Sequence, residues 1–210
     1  MSSPPAHSHR LAACALATAL LAACGGGGDS APSALSGTTS PAPAPAPEPG
    51  QSPAPAPAPS APSTATCGLS DFANSALARI NQIRAAGATC GARGSFAPAA
   101  ALGWSSPLTQ SGEGHSRDMA TANYFSHTSL DGRTLADRVN ATGYAWSTIG
   151  ENIAAGYSTV NSVMDGWTAS DGHCANLMNP NFTEVGLACV PGASGSQYNT
   201  YWTMNLGRPQ

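Results

Sequence analysis

Residues 67–210 hold three histidines, His115, His127 and His173, and two glutamates in unusual settings, Glu151 and Glu184. Glu151 lies between Gly150 and Asn152 in a run of small residues, whereas Glu184 begins a strand-like alternation. Imidazoles and carboxylates together support three kinds of chemistry. They can ligate a divalent metal, His nitrogens suiting zinc, with a carboxylate completing the shell or positioning a water. With an open coordination position, metal-bound water becomes a nucleophile and a Glu its base. Without metal, the same groups form a hydrogen-bonded network. Singly, an inward His is most often a core residue, and a strand Glu most often faces solvent.

These groups are densest in residues 171–190, DGHCANLMNPNFTEVGLACV, which bring His173, Glu184, Cys174 and Cys189 together. The stretch opens on Asp171-Gly172, read as turn chemistry, and is broken at Asn179-Pro180-Asn181. Standard nucleophile signatures are absent. Gly192-Ala193-Ser194-Gly195-Ser196 misses a Gly-x-Ser-x-Gly elbow at its last position, and there is no His-Glu-x-x-His helix. The chain has no Lys, which excludes phosphate-loop and Schiff-base chemistry. A formal net charge of −3 with no basic run argues against a nucleic-acid partner.

The first 66 residues are built largely of Ala, Pro, Ser and Gly, while all four Trp, five Tyr and four Phe come later. Residues 11–23 form an apolar run too short for a bilayer span of roughly 20 residues but suited to a signal peptide. It ends in Leu21-Ala22-Ala23-Cys24, which resembles a bacterial lipobox and makes Cys24 the expected lipidation site. Parity agrees. Removing Cys14 with residues 1–23 and acylating Cys24 leaves Cys67, Cys90, Cys174 and Cys189, an even set that reads as two disulfides in an exported chain. The expected localisation is the bacterial cell envelope, the protein held to a membrane through Cys24. Residues 24–66 read as a linker whose Ala-Pro repeats favour polyproline II.

Several elements must position the polar groups. Ser70 is expected to cap a helix over residues 71–86, with Phe72, Leu77, Ile80 and Ile83 on one stripe. Pro107 starts a second helix, to residue 122, that turns His115 inward with Leu108 and Met119. Thr134 caps a short helix, and Ser158 or Thr159 caps another carrying Val160, Val163, Met164 and Trp167. Residues 198–207 alternate as a strand with one buried face. Val185, Leu187 and Cys189 share one strand face, which leaves Glu184 on the other. Helices first and strands late suggest α+β.

Five motifs in register carry a resemblance. They are Gly112-Glu113-Gly114-His115-Ser116-Arg117-Asp118-Met119-Ala120, Phe125-Ser126-His127, Gly150-Glu151-Asn152-Ile153, Gly172-His173-Cys174-Ala175-Asn176-Leu177-Met178 and Phe182-Thr183-Glu184-Val185-Gly186. Together they make the chain resemble the CAP superfamily, or SCP domain, of cysteine-rich secretory, venom-allergen and pathogenesis-related proteins. The resemblance implies a three-layer α-β-α sandwich with a central antiparallel sheet, over residues 67–210. It also implies a cleft tetrad, mapped onto His115, Glu151, His173 and Glu184. His115 and His173 are the implied metal ligands, for zinc or another divalent cation, and His127 is a structural neighbour. Cys174 with Cys189, and Cys67 with Cys90, are the expected disulfides. Three functions remain open: a tethered module binding a metal, a small ligand or a peptide; a metal-dependent hydrolase; and an interaction protein with a purely structural tetrad.

Overall fold

A computed structural model of the chain describes residues 65–210; the residue 1–23 leader, Cys24 and the linker as far as residue 64 lie outside the described residues. The elements in chain order are α1 (Phe72–Ala86), β1 (Ala88–Thr89), a 3-10 turn (Gly91–Arg93), β2 (Ser95–Phe96), β3 (Gly103–Trp104), α2 (Ser106–Ala122), α3 (Leu135–Asn140), β4 (Trp146–Ala155), α4 (Val160–Thr168), α5 (Asp171–Met178), β5 (Glu184–Pro191) and β6 (Thr200–Pro209).

The main sheet has the order β3-β5-β6-β4. Its long pairings are antiparallel, and only the two-residue β3 joins β5 in parallel. One layer holds α1, α4 and α5 over Val185, Leu187, Trp202, Met204 and Leu206. The other holds α2, with Met119 and Ala120 against Ala188 and Tyr201, and α3 through Val139 against Leu108 and Tyr144. The result is the three-layer α-β-α sandwich. β6 is covered on both faces, not one, because α2 lies on its Tyr201, Thr203 and Asn205 side. Close approach makes that possible. A Cβ at Gly186 would overlap the backbone of Leu108 and Thr109.

Local chemistry explains most boundaries. Thr134 and Thr159 each form a capping box, with Asp137 and Ser162 respectively. At α1 the cap position is taken by Asp71 in the left-handed region, and no side chain caps it. Asp171-Gly172 is the first turn of α5, not a loop, and the helix stops before Asn179-Pro180. β4 has no clear alternation in sequence, since residues 151–154 are buried on both sides. Arg84 is fully buried in α1 and donates to the carbonyls of Ala100, Leu177 and Asn179 at 2.8, 2.6 and 3.1 Å. It fastens α1 to the end of α5.

The two disulfides pair otherwise than expected: Cys67 with Cys189 and Cys90 with Cys174. The cause is tertiary adjacency. Residues 65–67 run beside β5, where Cys67 N–H donates to the Cys189 carbonyl and Cys189 N–H to Ala65. Cys90 precedes the 3-10 turn, which docks on the start of α5 where Asp171 accepts from Ala92 N–H at 2.9 Å.

Candidate functional site

Glu151 enters from β4, the edge strand of the sheet, on the face covered by α2 and α3. Its side chain is 3% exposed and both carboxylate oxygens are engaged. Oε2 accepts from Arg138 Nη2 at 2.7 Å, and Oε1 accepts from His127 Nδ1 at 2.8 Å. Burial alone would raise the Glu151 pKa; the His127 hydrogen bond and the Arg138 charge outweigh it and hold the carboxyl below its ordinary value. Arg138, on α3, is equally buried, and it also donates to the carbonyls of His127 and Arg133 at 3.0 and 3.1 Å. One guanidinium therefore neutralises the carboxylate and holds the backbone of the loop that presents His127.

His115 takes a different place from the expected one. It is fully buried on α2, and its Nε2–H donates to the Ser126 carbonyl at 2.9 Å. That bond makes Nε2 the protonated nitrogen. Nδ1 is buried without a hydrogen-bond partner among the described residues. Burial is the main cause of its lowered pKa. The helical stripe turns His115 inward as expected, but inward leads beneath the loop and away from the open surface. His115 holds Ser126, and the next residue, His127, is the exposed imidazole. With Nδ1 committed to Glu151, His127 keeps Nε2 for other partners.

A pocket of about 390 Å³ adjoins this network. His127, Glu151 and Arg93 line it, together with Ser170, Gly172, His173, Ala175 and Asn176 from the start of α5 and its cap. Its volume falls in the range of small-molecule sites. Asn176 donates to the Glu151 carbonyl and to Asn152 Oδ1, and Asn152 in turn donates to the His173 carbonyl, so α5 is keyed to β4 beside the pocket. The His173 ring makes no hydrogen bond among the described residues. Its pKa is lowered, first by burial and then by the neighbouring His127.

The structure thus brings together His127, Glu151 and His173 and leaves His115 and Glu184 off the pocket wall. Glu184 shares the sheet face of Glu151 but sits two strands across and two residues along, on the order of 10 Å away. It lies beside Tyr144, whose phenol is raised by burial and by that carboxylate. His115 and His173 are not brought together on the pocket wall: His115 Nε2 is a committed donor to Ser126, and its Nδ1 is buried. Among the described residues no three His, Cys, Asp or Glu side chains converge as a metal shell would require. His127 and His173 offer two imidazoles, to which other oxygens would have to be added. Arg138, Arg93 and Asn176 escaped the sequence reading. The signal available for Arg138 was an arginine beside Val139 in a capped one-turn helix.

The model of the cysteine-rich secretory protein family, CAP, matches residues 77–206, more than half of the chain. The Bacillus subtilis (strain 168) protein YkwD is 39% identical over 87 residues, covering 41% of this chain and 34% of its own length. The membrane protein YlbC of the same organism is 38% identical over 88 residues, or 42% and 25% of the two chains. The chain thus spans about a third or less of the curated relatives it matches. Among solved structures, an extracellular SCP-domain protein of Bacillus anthracis str. Ames is 30% identical with a TM-score of 0.50, over 65% of this chain and 41% of that one. The layered fold, the positions of the motifs and the match over residues 77–206 lead to one conclusion: this chain belongs to the cysteine-rich secretory protein family.

Proposed function

We propose that this chain is an exported binding module, tethered to the cell envelope through Cys24, whose pocket takes a small ligand. His127 and His173 would be the residues to hold zinc or another divalent cation there. The observation that carries the reading is the way Glu151 is used. A carboxylate with both oxygens bound to Arg138 and His127 is a poor general base, but it is a firm brace for an exposed imidazole. A pocket of small-molecule size beside a braced imidazole with a free Nε2 supports ligand binding. Export is supported by the paired cysteines and by the extracellular relative. No helix among the described residues is long and apolar enough to cross a membrane.

The test is calorimetric titration of the full chain with zinc. Wild type is expected to bind, and His127→Ala and His173→Ala to lose at least tenfold in affinity. Zinc binding unchanged in both variants would remove the cation. For the tether, mass spectrometry of the membrane fraction should find an acylated N-terminal Cys24.

A further inference from the structure

Arg93 stands apart among the arginines. Of those in the described residues, Arg79, Arg117, Arg133 and Arg138 are ion-paired, while Arg84 and Arg208 donate to backbone carbonyls. Arg93 alone has no acceptor for its side chain among the described residues, and it lines the pocket. Its position is fixed from below. Cys90, three residues earlier, is bonded to Cys174 of α5, and Asp171 of α5 accepts from Ala92 N–H. The two ties fasten the turn that carries Arg93 to the helix that carries His173.

The charge balance gives this placement chemical meaning. Among the described residues Glu151 is the only carboxylate on the pocket wall, and Arg138 already matches it. Arg93 itself forms no ion pair among the described residues, neither with Glu151 nor with Asp171, which accepts from the neighbouring Ala92 N–H. A guanidinium is suited to an oxyanion, whose two oxygens it can engage in parallel. Binding there would orient the rest of the ligand toward His173 and His127.

We propose that the pocket is specific for a small ligand bearing an oxyanion, a carboxylate or a phosphate, and that Arg93 is the residue that selects it. This rests on the pocket reading above and adds the ligand's charge to it.

The test uses the metal-free full chain, with inorganic phosphate, glycylglycine and glycylglycine amide titrated separately and the His173 ring resonances followed by NMR. Phosphate or glycylglycine should shift them saturably, and the uncharged-end amide should not. Arg93→Gln should weaken the response at least tenfold, and Arg93→Lys less, since Lys keeps the charge without the fork. The tighter of the two anions identifies the source of the oxyanion. No saturable response to either anion, equal affinity in Arg93→Gln, or equal binding of the amide would overturn the proposal. A parallel zinc titration separates the two ideas. A zinc response in the wild type with no anion response there rejects the oxyanion alone, whereas an Arg93-dependent anion response without zinc binding upholds it and drops only the cation.

Discussion

Glu151 and Arg138 form an ion pair of 2.7 Å with both side chains 3% exposed, and through it β4, α3 and the His127 loop share one charge pair. Removing one partner leaves the other buried and unmatched. Glu151→Gln is therefore expected to cost about 3 kcal/mol or more of folding stability. Urea unfolding measures it, and a loss under about 1 kcal/mol would show that Arg138 finds another acceptor.

Acid should weaken the fold in two stages. His115 and His173 have lowered folded pKa values, so the unfolded chain takes up those protons first. Their contribution is complete above the unfolded value of about 6.5 and falls as pH drops below it. Glu151 is also lowered, so its contribution is present above the unfolded carboxyl value of about 4.3 and is lost as pH falls through the folded one. Melting temperature should hold steady above about pH 7, drop below about 6.5 and drop again below about 4. His173→Asn should shrink the first drop. A melting temperature that rises on acidification from neutral would contradict this.

Disulfide mapping gives a categorical check. A non-reducing digest should yield Cys67 joined to Cys189 and Cys90 joined to Cys174, with sequence separations of 122 and 84 residues. Long loops of this size are each worth about 4–5 kcal/mol in the chain-entropy estimate. Replacing Cys67 and Cys189 together by Ser should lower stability by up to that amount, with denaturant unfolding as the measure. Peptides joining Cys67 to Cys90 would refute the arrangement.

Gly186 is the contact on which α2 approaches the sheet. Gly186→Ala would push a methyl into the backbone of Leu108 and Thr109. The helix must shift, at a cost of about 1–3 kcal/mol or more. Because α2 also carries His115, the shift should loosen Ser126 and broaden the His127 ring signals in NMR. Unchanged stability would mean that α2 sits farther from β5 than described.

Much of the fold was legible in the residues. Thr134 and Thr159 announced their helices because a cap needs only a local partner three residues on. The motifs carried the layer order. β4 was missed since a strand buried on both faces at residues 151–154 loses the period of two. The disulfide pairing depends on which strand runs beside which, and spacing does not encode that. The site was half legible. Glu151 and His173 line the pocket, but His115 and His127 hold each other's expected places. Helical periodicity says that a side chain points inward, not whether a loop closes over it. Arg138 and Arg93 act through contacts 13 and 84 residues apart in sequence, counted by the Arg138–Glu151 bond and the Cys90–Cys174 staple.

The most direct measurement follows the histidine rings of the full chain by NMR during a zinc titration. The rings of His127 and His173 should shift together and saturate at one equivalent, while the His115 ring, held by Ser126, keeps its Nε2–H signal throughout. A response of His115 with His173, and silence from His127, would contradict the account and return the site to the pair first read from the sequence.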